Sequence, residues 1–148
     1  SEHEPGLAID LARAARNIDF IRPHLPYDGA CGRFRALAAK YGFIQRYRAE
    51  KTAVTGIACE PWHFRYVGAP HAQLIEQNGL CLEEYAAFLR EMGPQQCRLA
   101  GGRAAQVLYV PCENGHARLP GGCVQVSGDN AGGFIATVWQ AGARRCGA

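Results

Sequence analysis

Hydrophobic and polar positions change rhythm several times along the 148 residues, and each change marks an element. Gly6 to Leu11 is a brief apolar run closed upstream by Pro5 and followed by the charged Arg13 to Asp19 stretch. It predicts a short buried strand with Asp10 near its end. Between Ile21 and Gly32, Pro23, Pro26, Gly29 and Gly32 break any period, so this segment reads as a surface loop. Phe34, Leu37, Ala38 and Tyr41 then recur at helical spacing, with Gly42 where a left-handed cap belongs, and predict a helix over 33–41. Phe43 to Tyr47 and Val54 to Cys59 are rich in β-formers and flank the polar Arg48 to Lys51 segment. They predict two paired antiparallel strands, the second ending or bulging at Pro61, which cannot donate a ladder hydrogen bond.

Two helices, over 70–78 and 82–92, are predicted on either side of Gly79, the second with Leu82, Tyr85, Ala86 and Leu89 as its apolar stripe. Beyond Gly93 the pattern turns to strands: 105–110, 122–127 and 134–139 alternate with Gly/Pro/Asn/Asp clusters, and Ser127 to Asn130 reads as a turn. The sum is an α+β fold, a small antiparallel sheet packed by the helices near 33–41 and 70–92. Residues 1–95 are expected to hold the main domain and 96–148 a β-rich extension packed on it. No internal repeat or low-complexity tract interrupts this order.

Composition adds little to that picture. Sixteen basic against 13 acidic residues give a net charge of +3 with no basic run, which offers no footprint for a nucleic acid. No apolar stretch reaches the length of a membrane span, and the first residues lack the pattern of a signal peptide. The seven cysteines, Cys31, Cys59, Cys81, Cys97, Cys112, Cys123 and Cys146, contain no Cys-x-x-Cys pair of the kind that builds a structural zinc site. Small apolar core residues are the first reading of them. If one pair is bridged, Cys112 with Cys123, on either side of a Gly/Pro-rich loop, is the pair expected.

The chemistry lies in two clusters, Ser1-x-His3-x-x-Gly6-x-Ala8-x-Asp10 and Glu60-Pro61-Trp62-His63. Two imidazoles and one carboxylate supply a zinc ion with three ligands and leave a fourth tetrahedral position open, as catalytic sites require. Glu60, three residues before His63, is positioned to act as a general base. Singly, these residues read otherwise: His3 as an exposed terminal residue, His63 as a hydrogen-bonded histidine at a strand end, Asp10 and Glu60 as solvated carboxylates, Trp62 as a core or rim aromatic.

The two clusters together resemble the signatures of the VanY-type D-alanyl-D-alanine carboxypeptidases, S-x-H-x-x-G-x-A-x-D at Ser1 to Asp10 and E-P-W-H-F-R-Y-V-G at Glu60 to Gly68. Tyr41-Gly42-Phe43-Ile44-x-Arg46-Tyr47, Lys51-x-x-x-Thr55-Gly56, His71-Ala72 and Leu82-Glu83-Glu84-Tyr85 continue the likeness, so that it covers residues 1 to about 90. Arg33, Leu37 and Arg48 depart from the family pattern, which has Trp, Asn and Pro there.

The resemblance implies a hedgehog/D-Ala-D-Ala peptidase-like fold and Zn2+ bound by His3, Asp10 and His63. It also implies Glu60 as the base, and Ser1 and Trp62 in contact with the substrate. The implied activity is hydrolysis of the terminal D-alanine of peptidoglycan stem peptides, outside the cytoplasmic membrane. LD-carboxypeptidase or D,D-dipeptidase activity, or an inactive zinc-bearing cell-wall binding module, are the alternatives. Relatives carry further strands and helices before the first signature, including an arginine that holds the substrate or the oxyanion. The chain therefore reads as a fragment or a truncated form of such an enzyme.

Overall fold

The computed structural model describes residues 1–129 and 131–140. Contacts gather into two compact units, Ser1–Glu83 and a second beginning at Glu84. In the first, β1 (Ala8–Asp10), α1 (Gly29–Ala38), β2 (Phe43–Gln45), the short α2 (Thr52–Thr55), β3 (His63–Tyr66) and α3 (Ala69–Gln77) follow one another. The sheet is antiparallel in the order β1-β3-β2. Its central strand pairs Asp10 with His63 on one side and Ile44 with Arg65 on the other.

Alternation along β3 separates two faces. Phe64, almost fully buried, anchors a cluster with Leu25 and Ala38, against which Leu11, Phe34, Phe43 and Trp62 pack. The Phe34 and Phe64 rings meet edge to face at 4.8 Å. His63 and Arg65 point the other way, with Asp10 and Ala8 beside them. Thus the strand that nucleates the core also carries the candidate chemistry.

Arg35 fastens this arrangement from α1. Its guanidinium donates to the carbonyls of Leu25 at 2.8 Å and Pro61 at 2.7 Å, and to Gln45 Oε1 at 2.9 Å. Loop, helix, β2 and the turn before β3 therefore share one charged donor set. The predicted cap at Gly42 is present, with φ of 91°. A Cβ there would lie 2.7 Å from the Tyr66 ring and 2.9 Å from the Ala69 nitrogen, so both conformation and space demand glycine.

Two expectations fail here. Val54 to Cys59 forms no strand: Thr52–Thr55 is a helical turn capped by Gly56 at φ 70°. The partner of β2 is instead β3. Val54 and Ile57 are exposed, so their β-propensity meets no apolar face to pack on. Nor does Pro61 end a strand. It is the second residue of a turn closed by His63 N–H donating to the Glu60 carbonyl at 3.2 Å, and β3 starts where the turn ends.

The second unit holds most of α4 (Leu82–Met92), then β4 (Gln95–Arg98), β5 (Ala104–Pro111), β6 (Cys123–Gly128) and β7 (Gly133–Trp139). These strands form an antiparallel sheet of their own in the order β4-β5-β7-β6. Tyr85, Leu89, Cys97, Ala105, Val107, Val110 and Ala136 are buried. Strand β4 was not anticipated, because Gln95, Gln96 and Arg98 hide its period. Asp129 secures the β6–β7 hairpin by accepting from the Ala131 and Gly133 nitrogens, both at 2.8 Å. The predicted turn falls partly on Asn130, outside the described residues. No disulfide joins Cys112 to Cys123, while Cys81 and Cys97 are buried as apolar core residues; Cys146 lies outside the described residues.

Burial pushes the His71 imidazole on α3 down from 6.5 to about 4. A histidine depressed in the folded state supports stability above its unfolded value, and that support is lost as pH falls from 6.5 towards 4. Urea unfolding should accordingly show about 2 kcal/mol of stability lost through His71 between about pH 7.5 and pH 5. In a His71→Asn chain that part of the slope should vanish; equal slopes in the two chains would contradict the assignment.

Candidate metal centre

Three local devices bring the signature residues together. The β1–β3 register sets Asp10 directly opposite His63, so both side chains leave the same face. The tight turn after His3, closed by Gly6 N–H donating to the His3 carbonyl at 2.9 Å, folds residues 1–5 back over β1. The Glu60-Pro61-Trp62-His63 turn places Glu60 beside His63, with Glu60 Oε2 3.7 Å from His63 Nδ1.

One ligand atom each from His3, Asp10 and His63 lies within 4.8 Å of the others, and among the described residues no other such group of three or more occurs. Asp10 Oδ1 is 2.9 Å from His63 Nδ1 and 3.6 Å from His3 Nε2. Tetrahedral zinc ligands with bonds of about 2.0–2.1 Å lie about 3.3 Å apart, which these two separations bracket. His63 is 7% exposed, whereas His3 is 40% and Asp10 38% exposed, so the cluster has a buried wall and an open side.

The far nitrogens of both rings are also accounted for. His3 Nδ1 lies 3.1 Å from the Ala8 carbonyl, an acceptor that requires the proton on Nδ1 and leaves Nε2 its lone pair. His63 lies between two carboxylates, with Nε2 2.7 Å from Glu2 Oε1 and Nδ1 2.9 Å from Asp10 Oδ1; a ring that binds metal through Nδ1 carries its proton on Nε2, facing Glu2. Metal-binding histidines characteristically donate their second N–H to a carboxylate or carbonyl in this way. Donor types, spacing and tautomers all fit a zinc ion.

The remaining predicted residues divide. Glu60 joins the cluster. Trp62 is half-buried against Phe64 and its neighbours, on the core side of the turn, and Ser1 is exposed, its Oγ accepting from the His3 nitrogen at 3.3 Å. Glu2 and Tyr47 were not singled out for chemistry. The Tyr47 ring lies 5.2 Å from the His63 ring, and its carbonyl accepts from Glu60 N–H at 3.0 Å. Burial first, then the carboxylates Glu2, Glu60 and Glu83, push the Tyr47 hydroxyl above its ordinary pKa, against the opposing charge of Arg46. The sequence marks Glu2 only by its place between two signature positions.

The chain is similar to known proteins in both fold and sequence. A crystal structure of the vancomycin resistance D,D-dipeptidase VanXYg in complex with a D-Ala-D-Ala phosphinate analog superposes with a TM-score of 0.84 at 44% identity. The match covers 95% of this chain and 58% of that one. The chain therefore shares the fold of that D,D-dipeptidase over nearly its whole length, mixed helices and open antiparallel sheets. Residues 1–69 match the model of the VanY D-alanyl-D-alanine carboxypeptidase family. The bifunctional D-Ala-D-Ala dipeptidase and D-Ala-D-Ala carboxypeptidase VanXYC of Enterococcus gallinarum is 46% identical over 92 residues, 62% of this chain. A D-alanyl-D-alanine carboxypeptidase of Enterococcus faecium is 34% identical over 140 residues, 94% of this chain. The chain spans 48% and 44% of the lengths of these two relatives, about half.

The cluster makes a direct prediction. Asp10→Ala and His63→Ala should each weaken zinc binding by more than about 100-fold, beyond the usual range for outer-shell changes. Competition with a chromophoric chelator measures this, and unchanged affinity in either variant would remove that residue from the centre.

Proposed function

We propose that the chain carries the catalytic centre of a zinc-dependent D-alanyl-D-alanine carboxypeptidase acting on peptidoglycan stem peptides, with His3, Asp10 and His63 as ligands and Glu60 as general base. The convergence of the three ligand atoms with Glu60 at 3.7 Å from His63 Nδ1 carries the reading. A bound zinc ion would supply Lewis acidity for the scissile carbonyl and lower the pKa of the attacking water.

The chain's own residues do the rest. Glu60 Oε2 accepts the proton of the attacking water and returns it to the leaving amine of D-alanine. The Pro61 turn holds that carboxylate at the rim of the cluster, and Arg35 fixes the turn through the Pro61 carbonyl. Ser1 Oγ and the Trp62 ring are proposed to meet the terminal residues of the substrate, a hydroxyl and an aromatic face suited to a small peptide end. The substrate implies action outside the cytoplasmic membrane; among the described residues no helix is long and apolar enough to cross one.

D,D-dipeptidase activity is the second reading, supported by the 44% identity and 0.84 TM-score to VanXYg. Peptides ending in D-Ala-D-Ala, peptides ending in L-Lys-D-Ala and free D-Ala-D-Ala separate the readings by the product released. With the zinc-loaded chain, D-alanine from the first supports the carboxypeptidase, and cleavage of the free dipeptide supports the second reading. Zinc binding with none of the three cleaved would favour a binding module. Glu60→Gln should bind zinc as tightly as the parent and lose at least about 100-fold in kcat, the scale of general-base removal. Full turnover in that variant would move the base elsewhere.

A further inference from the structure

Behind His63 stands a row of charges that the ligand set does not explain. Glu2 is only 17% exposed, and its Oε1 accepts from His63 Nε2. The other oxygen, Oε2, accepts from Arg65 Nη1 and lies 3.6 Å from Arg46 Nε. Arg46, 11% exposed, gives both terminal nitrogens to Glu83, at 3.0 and 2.6 Å. Its Nε is buried without a hydrogen bond and faces Glu2 at a range that charge attraction spans. The same guanidinium covers the Tyr47 ring at 4.7 Å, and Tyr47 in turn flanks the His63 imidazole.

This row has a definite physical effect. Glu2 is enclosed on three sides, by the His63 ring, by Arg65 and by Arg46. Burial pushes the Glu83 carboxyl up, but Arg46 holds it below its usual range. Two carboxylates and two guanidiniums are thus paired in a row behind one imidazole nitrogen.

We propose that Glu2 is a positioning residue for zinc, acting through His63 and aimed by the Arg46–Arg65 clamp that Glu83 completes. The inference rests on the metal-centre reading above. By accepting from Nε2–H, Glu2 fixes the rotation and tautomer of the ring, presents the Nδ1 lone pair to the ion and raises its basicity. Arg46 and Arg65 hold the carboxylate against Nε2 and stop it swinging towards the ion. A purely structural ion pair tying residues 1–3 to β3 would instead support folding and leave the metal affinity of the folded chain unchanged.

The test compares zinc dissociation constants, by chelator competition, for the parent chain and Glu2→Gln. Thermal unfolding of the metal-free chains is followed in parallel. Gln keeps an acceptor of the same shape and removes the charge. The expected result is a loss of about 10- to 100-fold in zinc affinity. It should come with an altered visible spectrum of the cobalt-substituted chain, while Glu76→Gln, a carboxylate of α3 paired with Arg48, stays at the parent value. Arg65→Met leaves Glu2 in place but removes one clamp; it should lose about three- to tenfold and decides the matter if Glu2→Gln does not fold. Parent-like affinity in Glu2→Gln, or in Arg65→Met where that variant stands in, overturns the inference alone. A parent chain that binds no zinc overturns the metal-centre reading and this inference with it.

Discussion

The pairing of Asp10 with His63 across β1 and β3 is the constraint on which the candidate centre depends. β1 is only three residues long, yet its register decides everything about the site, since a slip of one residue would turn Asp10 to the opposite face of the sheet. The register is secured away from the chemistry. Phe64, the residue after His63, is buried among Leu25, Ala38 and the aromatics around them, and a one-residue slip would put His63 or Arg65 there instead. Backbone bonds extend the pairing past both strand ends, from Tyr66 N–H to the Leu7 carbonyl and from Leu11 N–H to the Trp62 carbonyl. Core packing and ligand geometry are two faces of one strand.

Around that pair, the remaining parts are added by turns rather than by further regular structure. The His3–Gly6 turn returns one imidazole to the sheet, and the Pro61 turn delivers Glu60. Loops would ordinarily hold such groups loosely, but each is tied to a rigid neighbour: His3 to the Ala8 carbonyl, Glu60 N–H to the Tyr47 carbonyl, Pro61 to Arg35. His63, the most buried member, is gripped on its far side by Glu2, so that the one ring without freedom to adapt is held on both sides.

Much of this could be read from the residues because the family signatures are contiguous and specific. His3, Asp10, Glu60 and His63 were named from two short segments, and the structure brings those four together. Regular elements with a strong period, the helices near 33–41, 70–78 and 82–92 and the strand at Asp10, were also readable, as was the cap at Gly42. What escaped depends on distant partners. Val54 to Cys59 has the composition of a strand but no apolar face to meet, and the true partner of β2 hides behind a proline that looked like a terminator. β4 escaped because glutamine and arginine obscure its alternation. Glu2 could not be found locally, since its role comes from Arg46, Arg65 and Glu83, up to 81 residues away in the chain.

Diffraction from zinc-soaked crystals, recorded on both sides of the zinc absorption edge, addresses the central claim most directly. The account predicts one anomalous peak bonded to His3 Nε2, the Asp10 carboxylate and His63 Nδ1, with Glu2 still on His63 Nε2. A peak held by Glu2 and His63 Nε2, or no peak at this cluster, would contradict it.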